Sequence, residues 1–96
     1  MAAQPQSEAR IARIRSALER NLAPARLSIA DDSAAHAGHP GAREGGHFRV
    51  AVVSERFRGR TVLERHRLVY EAVGALMGCD IHALSIVAES PEETTS

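Results

Sequence analysis

Histidine is the side chain whose charge changes near neutral pH, and its neutral imidazole is a common metal ligand. This chain of 96 residues has five: His36, His39, His47, His66 and His82. Four of them lie in or beside segments that read as loop or element end. His36 and His39 form H-A-G-H, His47 precedes an apolar alternation, and His82 follows Gly78-Cys79-Asp80. Two imidazoles brought from separate segments to one sheet edge would share a metal. The pattern H-x-x-H is weak by itself, because it lacks the i, i+4 spacing and the accompanying Glu of a hydrolytic zinc helix. The plainer alternatives are incidental loop histidines for His36 and His39 and a strand-end surface residue for His47. For His82 the alternative is a half-buried side chain bonded to backbone, since strand parity puts it on the face of Leu84 and Ile86. His66, between Val62 and Val69, reads as a structural packing residue.

A second cluster is R-F-R-G-R-T-V-L-E-R-H-R, in which Arg56, Arg58, Arg60, Arg65 and Arg67 face one Glu. Guanidinium groups at a helix start beside a glycine turn clamp phosphate in a forked geometry. A short turn followed by a longer helix is also the shape of helix-turn-helix and KH-type nucleic-acid binders. Against this, no GXXG occurs here, and the only aromatic platforms in the chain are Phe48, Phe57 and Tyr70. A solvated arginine-rich turn is the competing reading. The formal net charge of zero excludes a global basic field, so any nucleic-acid contact must come from a local patch. Cys79 stands alone, which excludes an internal disulfide and disfavours dithiol redox or Cys/His hydrolase chemistry.

The elements that must position these residues follow from hydrophobic period. Ile11, Ile14, Leu18 and Leu22 recur at spacings of three and four, predicting an amphipathic helix over residues 8–21 with Ser7 as N-cap. Leu27 and Ile29 alternate with polar neighbours as a short strand closed by Asp31 and Asp32. Residues 31–46 hold four Gly, one Pro and no large apolar side chain, which predicts a long loop of the kind that carries function. Phe48, Val50 and Val52 define one face of a second strand. A single turn at Ser54 to Phe57 precedes the capping box T-V-L-E opened by Thr61. From there Val62, Val69, Val73 and Leu76 form the apolar stripe of a second helix reaching about Met77, with Gly78 as its cap. Ile81 to Ala88 is a third strand.

This order predicts an α+β domain with helices on one face of a three-stranded sheet. A right-handed crossover makes the last two strands parallel, so the sheet is mixed. One domain spans residues 8–90, between a flexible N-terminus at 1–7 and a flexible acidic tail at 91–96. A chain of this length buries roughly 60 to 65% of its unfolded surface, enough for one modest core but not for a cavity enclosing a large substrate. An enzyme is therefore disfavoured. Residues 1–7 lack the basic start and apolar run of a signal peptide, and no apolar stretch approaches a membrane span. The expectation is a cytoplasmic protein with no membrane association.

The segments I-A-D-D-S-A-A-H-A-G-H, H-F-R-V-A-V-V-S-E-R-F-R-G-R, R-H-R-L-V-Y and I-H-A-L-S-I, in this order and spacing, resemble the BolA family over residues 8–91. The resemblance implies an αββααβ, class II KH-like fold. It further implies a partner, a monothiol CGFS-type glutaredoxin, with which the chain shares a bridged 2Fe-2S cluster. In such complexes the glutaredoxin and glutathione supply thiolates. The BolA-like chain supplies a histidine at the start of its last strand, here His82, and a His or Cys from the first inter-strand loop, here His36 with His39 as a substitute. The family is also linked to transcriptional control, so DNA binding through Arg56, Arg58, Arg60, Arg65 and Arg67 stands as the alternative. Homodimerisation without the partner is left open.

Overall fold

A computed structural model of the chain describes residues 5–32 and 46–94. Helix α1 (Pro5–Leu22) is followed by β1 (Arg26–Asp31), β2 (Gly46–Val53), helix α2 (Val62–Val73) and β3 (Ile81–Glu89), with short 3-10 turns at Glu55–Phe57, Gly74–Leu76 and Pro91–Thr94. The sheet order is β1-β2-β3. β1 and β2 pair antiparallel, and β2 and β3 pair parallel, so the sheet is mixed as the crossover argument requires.

The core is the intersection of three periodicities. Ile14, Leu18 and Leu22 of α1 and Val69, Ala72 and Val73 of α2 close over Phe48, Val50 and Val52 of β2, with Phe57 and Ile81 sealing its ends. Each large apolar side chain fully buried here contributes about 1.5–3 kcal/mol. The opposite face of the sheet is open, and the paired residues Arg49 with Ser85 and Ala51 with Val87 are exposed on it.

Several local expectations are corrected. Helix α1 begins at Pro5, so Ser7 is not its N-cap; inside the first turn, the Ser7 hydroxyl donates to the Asp31 carboxylate and ties α1 to β1. Helix α2 ends at Val73 rather than near Met77. Gly74, at φ +48°, takes the cap position and Gly78, at φ +83°, turns the chain into β3. The buried stripe of α2 is Arg65, Val69, Ala72 and Val73, and Val62 is 68% exposed. Arg65, not His66, holds the inward position, and His66 is half-buried. Residues 91–94 are not a frayed tail but a 3-10 turn, whose Glu92 and Glu93 pair with Arg58 and Arg65.

The capping box expected at Thr61 is present, and the turn expected at Ser54 to Phe57 has a cap of its own. The Thr61 side chain accepts from the Glu64 amide at 3.1 Å, and the Thr61 amide donates to Glu64 Oε1 at 2.9 Å. That second bond is the main reason the Glu64 carboxyl lies below its ordinary pKa. Ser54 caps the following 3-10 turn by accepting from the Arg56 amide.

Candidate functional site

The site is built at the edge of the sheet where β1 ends and β2 and β3 begin. The Asp32 amide donates to the His47 carbonyl at 2.6 Å, and the Gly46 amide donates to the Asp80 carbonyl at 3.0 Å. Three chain segments are therefore pinned side by side. The turn before β3 is braced from below by α1. Arg13 grips the Asp80 carboxylate with two bonds of 2.7 Å, from Nε and Nη2, and Arg10 lies 3.7 Å from the same group. The Arg13 bonds hold the Asp80 carboxyl below its ordinary pKa. Such a forked contact sets direction as well as energy.

At this edge β2 and β3 are out of step by one residue. Gly46 stands opposite Ile81, but His47 stands opposite Ala83, so His82 is the extra residue of a β-bulge. Bulges re-aim side chains and occur beside functional sites. The consequence is that parity fails before Ala83. Ile81 is fully buried and Leu84, Ile86 and Ala88 pack against the core, yet His82 is exposed. The expectation that His82 shares the face of Leu84 and Ile86 is corrected by this extra residue. The His82 ring lies with its centroid 5.2 Å from that of His47, at an interplanar angle of 49°.

His47 is the residue that sequence reasoning assigned to a plain strand end. The signal that finds it is topological: two neighbouring parallel strands start at the same edge, and each starts with a histidine at its second residue. His36 and His39 lie outside the described residues. The segment that carries them leaves β1 after Asp32 and enters β2 at Gly46, the edge where His47 and His82 meet.

The ring geometry suits shared coordination. Imidazole nitrogens bound to one metal at about 2.0–2.1 Å place the two ring centroids about 5 Å apart when the bond angle is near tetrahedral. Among the described residues no group of three or more His, Cys, Asp or Glu is arranged to hold a metal. The two rings are thus spaced as a pair of ligands to one metal would be. Cys79, the neighbouring thiol, is exposed.

The arginine-rich segment is not a five-pronged clamp. Arg65 is only 9% exposed and bonds the Arg60 and Ala88 carbonyls and Glu93, while Arg58 pairs with Glu55 and Glu92. Arg56, Arg60 and Arg67 are exposed. The amides at the start of α2 are served by Thr61, with the Glu64 carboxylate beside them, which disfavours phosphate at that helix end. A hollow of about 560 Å³ between α1 and the end of α2 is lined by Ala12, Ser16, Ala72 and Ala75 among others, and the described histidines do not line it. No helix among the described residues is long and apolar enough to cross a membrane.

Comparison with known proteins places the fold. Residues 18–93 match the family model for BolA-like protein. The chain is 46% identical over 82 residues to human BolA-like protein 1, a match that covers 85% of this chain and 58% of that relative's length. It is 34% identical over 74 residues to the Escherichia coli (strain K12) protein named DNA-binding transcriptional regulator BolA, covering 77% of this chain and 69% of the relative. The solved BolA domain of SufE1 from Arabidopsis thaliana superposes with a TM-score of 0.78 at 40% identity, over 97% of this chain and 100% of that one. With its helix-strand-strand-helix-strand order, mixed sheet and matched residues, the chain belongs to the BolA-like protein family.

Proposed function

We propose that this protein is a non-enzymatic adaptor that binds a monothiol CGFS-type glutaredoxin and shares with it a bridged 2Fe-2S cluster, in iron-sulfur cluster assembly, trafficking or iron-status regulation. The observation that carries this reading is the His47–His82 pair, 5.2 Å apart on an edge braced by Asp80 and Arg13. Two nitrogen donors, with no third ligating side chain grouped with them among the described residues, fit a site completed from outside, with thiolates from glutaredoxin and glutathione. A cluster held in this way supplies one-electron chemistry and a transferable iron-sulfur unit, and histidine ligation raises its potential relative to thiolate ligation. The protein's own part is to hold the imidazoles at fixed spacing and to present them on an open sheet edge. His82 is the constant ligand. The second is one of His36, His39 and His47, and His47 is the one already seated beside His82.

The experiment is a titration of the chain into cluster-loaded glutaredoxin, followed by visible absorption and circular dichroism. The expected result is a new spectrum that His82→Ala abolishes and that one of His36→Ala, His39→Ala or His47→Ala weakens, which identifies the second ligand. An unchanged spectrum and affinity with His82→Ala would overturn the proposal.

The name of the Escherichia coli relative favours a second reading, DNA binding, for which Arg56, Arg60 and Arg67 are the exposed cations. Its signature is affinity that falls steeply with salt, by about 0.9 log units per log of salt for each phosphate contact. Equal binding after replacement of these three by Gln removes it.

A further inference from the structure

The carboxylate of Glu93 is seated in a guanidinium fork that is anchored independently of it. Arg65 Nη1 donates to Oε1 at 2.6 Å, Arg65 Nη2 donates to Oε2 at 3.0 Å, and the Ser90 amide donates to Oε1 at 2.8 Å. From behind, Arg65 Nε donates to the Arg60 carbonyl at 3.0 Å and Nη1 to the Ala88 carbonyl at 3.1 Å. Those two backbone oxygens aim the guanidinium fork whether or not a carboxylate is present. The Arg65 side chain is shielded, at 11% exposure, whereas the Glu93 side chain is 42% exposed, so the anion reaches its donors from the solvent side. Next to it, Arg58 bonds Glu92 of the same turn. With the turn lifted away from this notch, Arg58 and Arg65 would both lose a carboxylate partner, and Glu55 would remain paired with Arg58.

We propose that this notch is a carboxylate-binding site that the C-terminal turn occupies as a built-in competitor, and that its external ligand is an acidic segment of a partner protein carrying adjacent carboxylates, as Glu92 and Glu93 are adjacent here. A planar carboxylate matches the two parallel N–H bonds of a guanidinium fork. The tether from Ser90 to Glu93 is three residues long, which gives the internal ligand an effective concentration of about millimolar or more. A single free carboxylate therefore does not displace it, and a segment with two does so only by replacing both ion pairs. The site is independent of the cluster reading. Ser90 lies at the opposite end of β3 from His82, eight residues or about 26 Å away at the usual strand rise.

The test is chemical rescue in the full chain. Glu93→Ala empties the notch, and sodium acetate is added at ionic strength held constant with chloride. The readouts are the Ser90 amide proton by NMR and the thermal midpoint. Acetate is expected to move the Ser90 resonance of the variant back toward its position in the parent. At five times the dissociation constant it shifts the folding equilibrium about sixfold, or about 4–8 °C. The parent, whose notch stays filled, shows no such response, and Arg65→Lys combined with Glu93→Ala loses it. A peptide with a Glu-Glu pair acts on Glu92→Ala/Glu93→Ala at lower concentration than acetate, and its Gln-Gln counterpart does not act. If Glu93→Ala is unfolded, refolding by acetate but not by sucrose is the same positive result. Rescue by inorganic phosphate alone, equal responses in parent and variant, or refolding by sucrose alone would overturn the proposal.

Discussion

Replacing Ser54 by Ala probes the corner where four elements meet. Ser54 is 1% exposed, and its hydroxyl donates to the Leu22 carbonyl at 2.6 Å while accepting from the Arg56 amide at 3.1 Å. Its own amide donates to the Glu89 carbonyl and its carbonyl accepts from the Phe57 amide, so one residue joins the end of α1, the end of β2, the end of β3 and the turn that follows. The substitution leaves the two backbone bonds and removes the two made by the hydroxyl. Loss of an N-cap costs about 0.5–2 kcal/mol. A buried carbonyl left without its donor costs about 1–3 kcal/mol, and the space vacated by one oxygen does not admit a hydrogen-bonded water. The expected loss is about 2–4 kcal/mol, a large fraction of the 5–15 kcal/mol that holds a typical domain together. Equilibrium urea unfolding followed by circular dichroism reads this directly, as a midpoint lower by about 1–3 M at the slopes usual for small proteins. Ser28→Ala, on the exposed face of β1, is the control and should stay within about 0.5 kcal/mol of the parent. A Ser54→Ala variant equally close to the parent would refute the reasoning.

Thr61→Ala breaks the capping box of α2 and should cost about 1 kcal/mol, with faster amide exchange confined to the first turn of that helix; unchanged exchange there would contradict it. The pH dependence of stability should carry the mark of Glu93. Its carboxyl is drawn from 4.5 down to about 2, chiefly by the Arg65 side chain and then by the Ser90 amide. Between those values the unfolded chain binds more protons than the folded one, so the stabilisation is complete above about pH 4.5 and is lost as the pH falls toward 2. Urea midpoints of the parent and Glu93→Gln should therefore differ at pH 6 and converge near pH 2, and a gap that does not change with pH would count against this.

Much of the fold was legible because its core is periodic. Ile14, Leu18 and Leu22 at helical spacing, and Phe48, Val50 and Val52 at strand spacing, specify which faces meet, and the crossover rule supplies the parallel pairing of β2 and β3. What was not legible depends on partners distant in sequence. Nothing near Arg65 says that a charged residue will take the inward position of α2, because its bonds go to Ala88 and Glu93, more than twenty residues away. The same ion pairs turn an acidic tail into a docked turn. Gly78 was read as the helix stop, whereas Gly74, four residues earlier inside the expected helix, takes that role. At the candidate site His82 was found by position, but its orientation was misjudged because alternation is counted residue by residue and a bulge adds one. His47 was passed over because its meaning comes only from the strand beside it.

The extra residue in β3 also separates two demands that a strand normally imposes together. Along a regular ladder every side chain is constrained by its face, so a change of chemistry at one position is a change of packing. Here Ile81 matches Gly46 and Ala83 matches His47, and the sheet closes on either side of His82. A chain lacking that one residue would still have a register to adopt, with Leu84, Ile86 and Ala88 keeping their inward places. Position 82 is thus spare to the architecture and available for whatever the edge must hold. Transplanting the site onto another parallel sheet would require carrying over this insertion along with the two histidines.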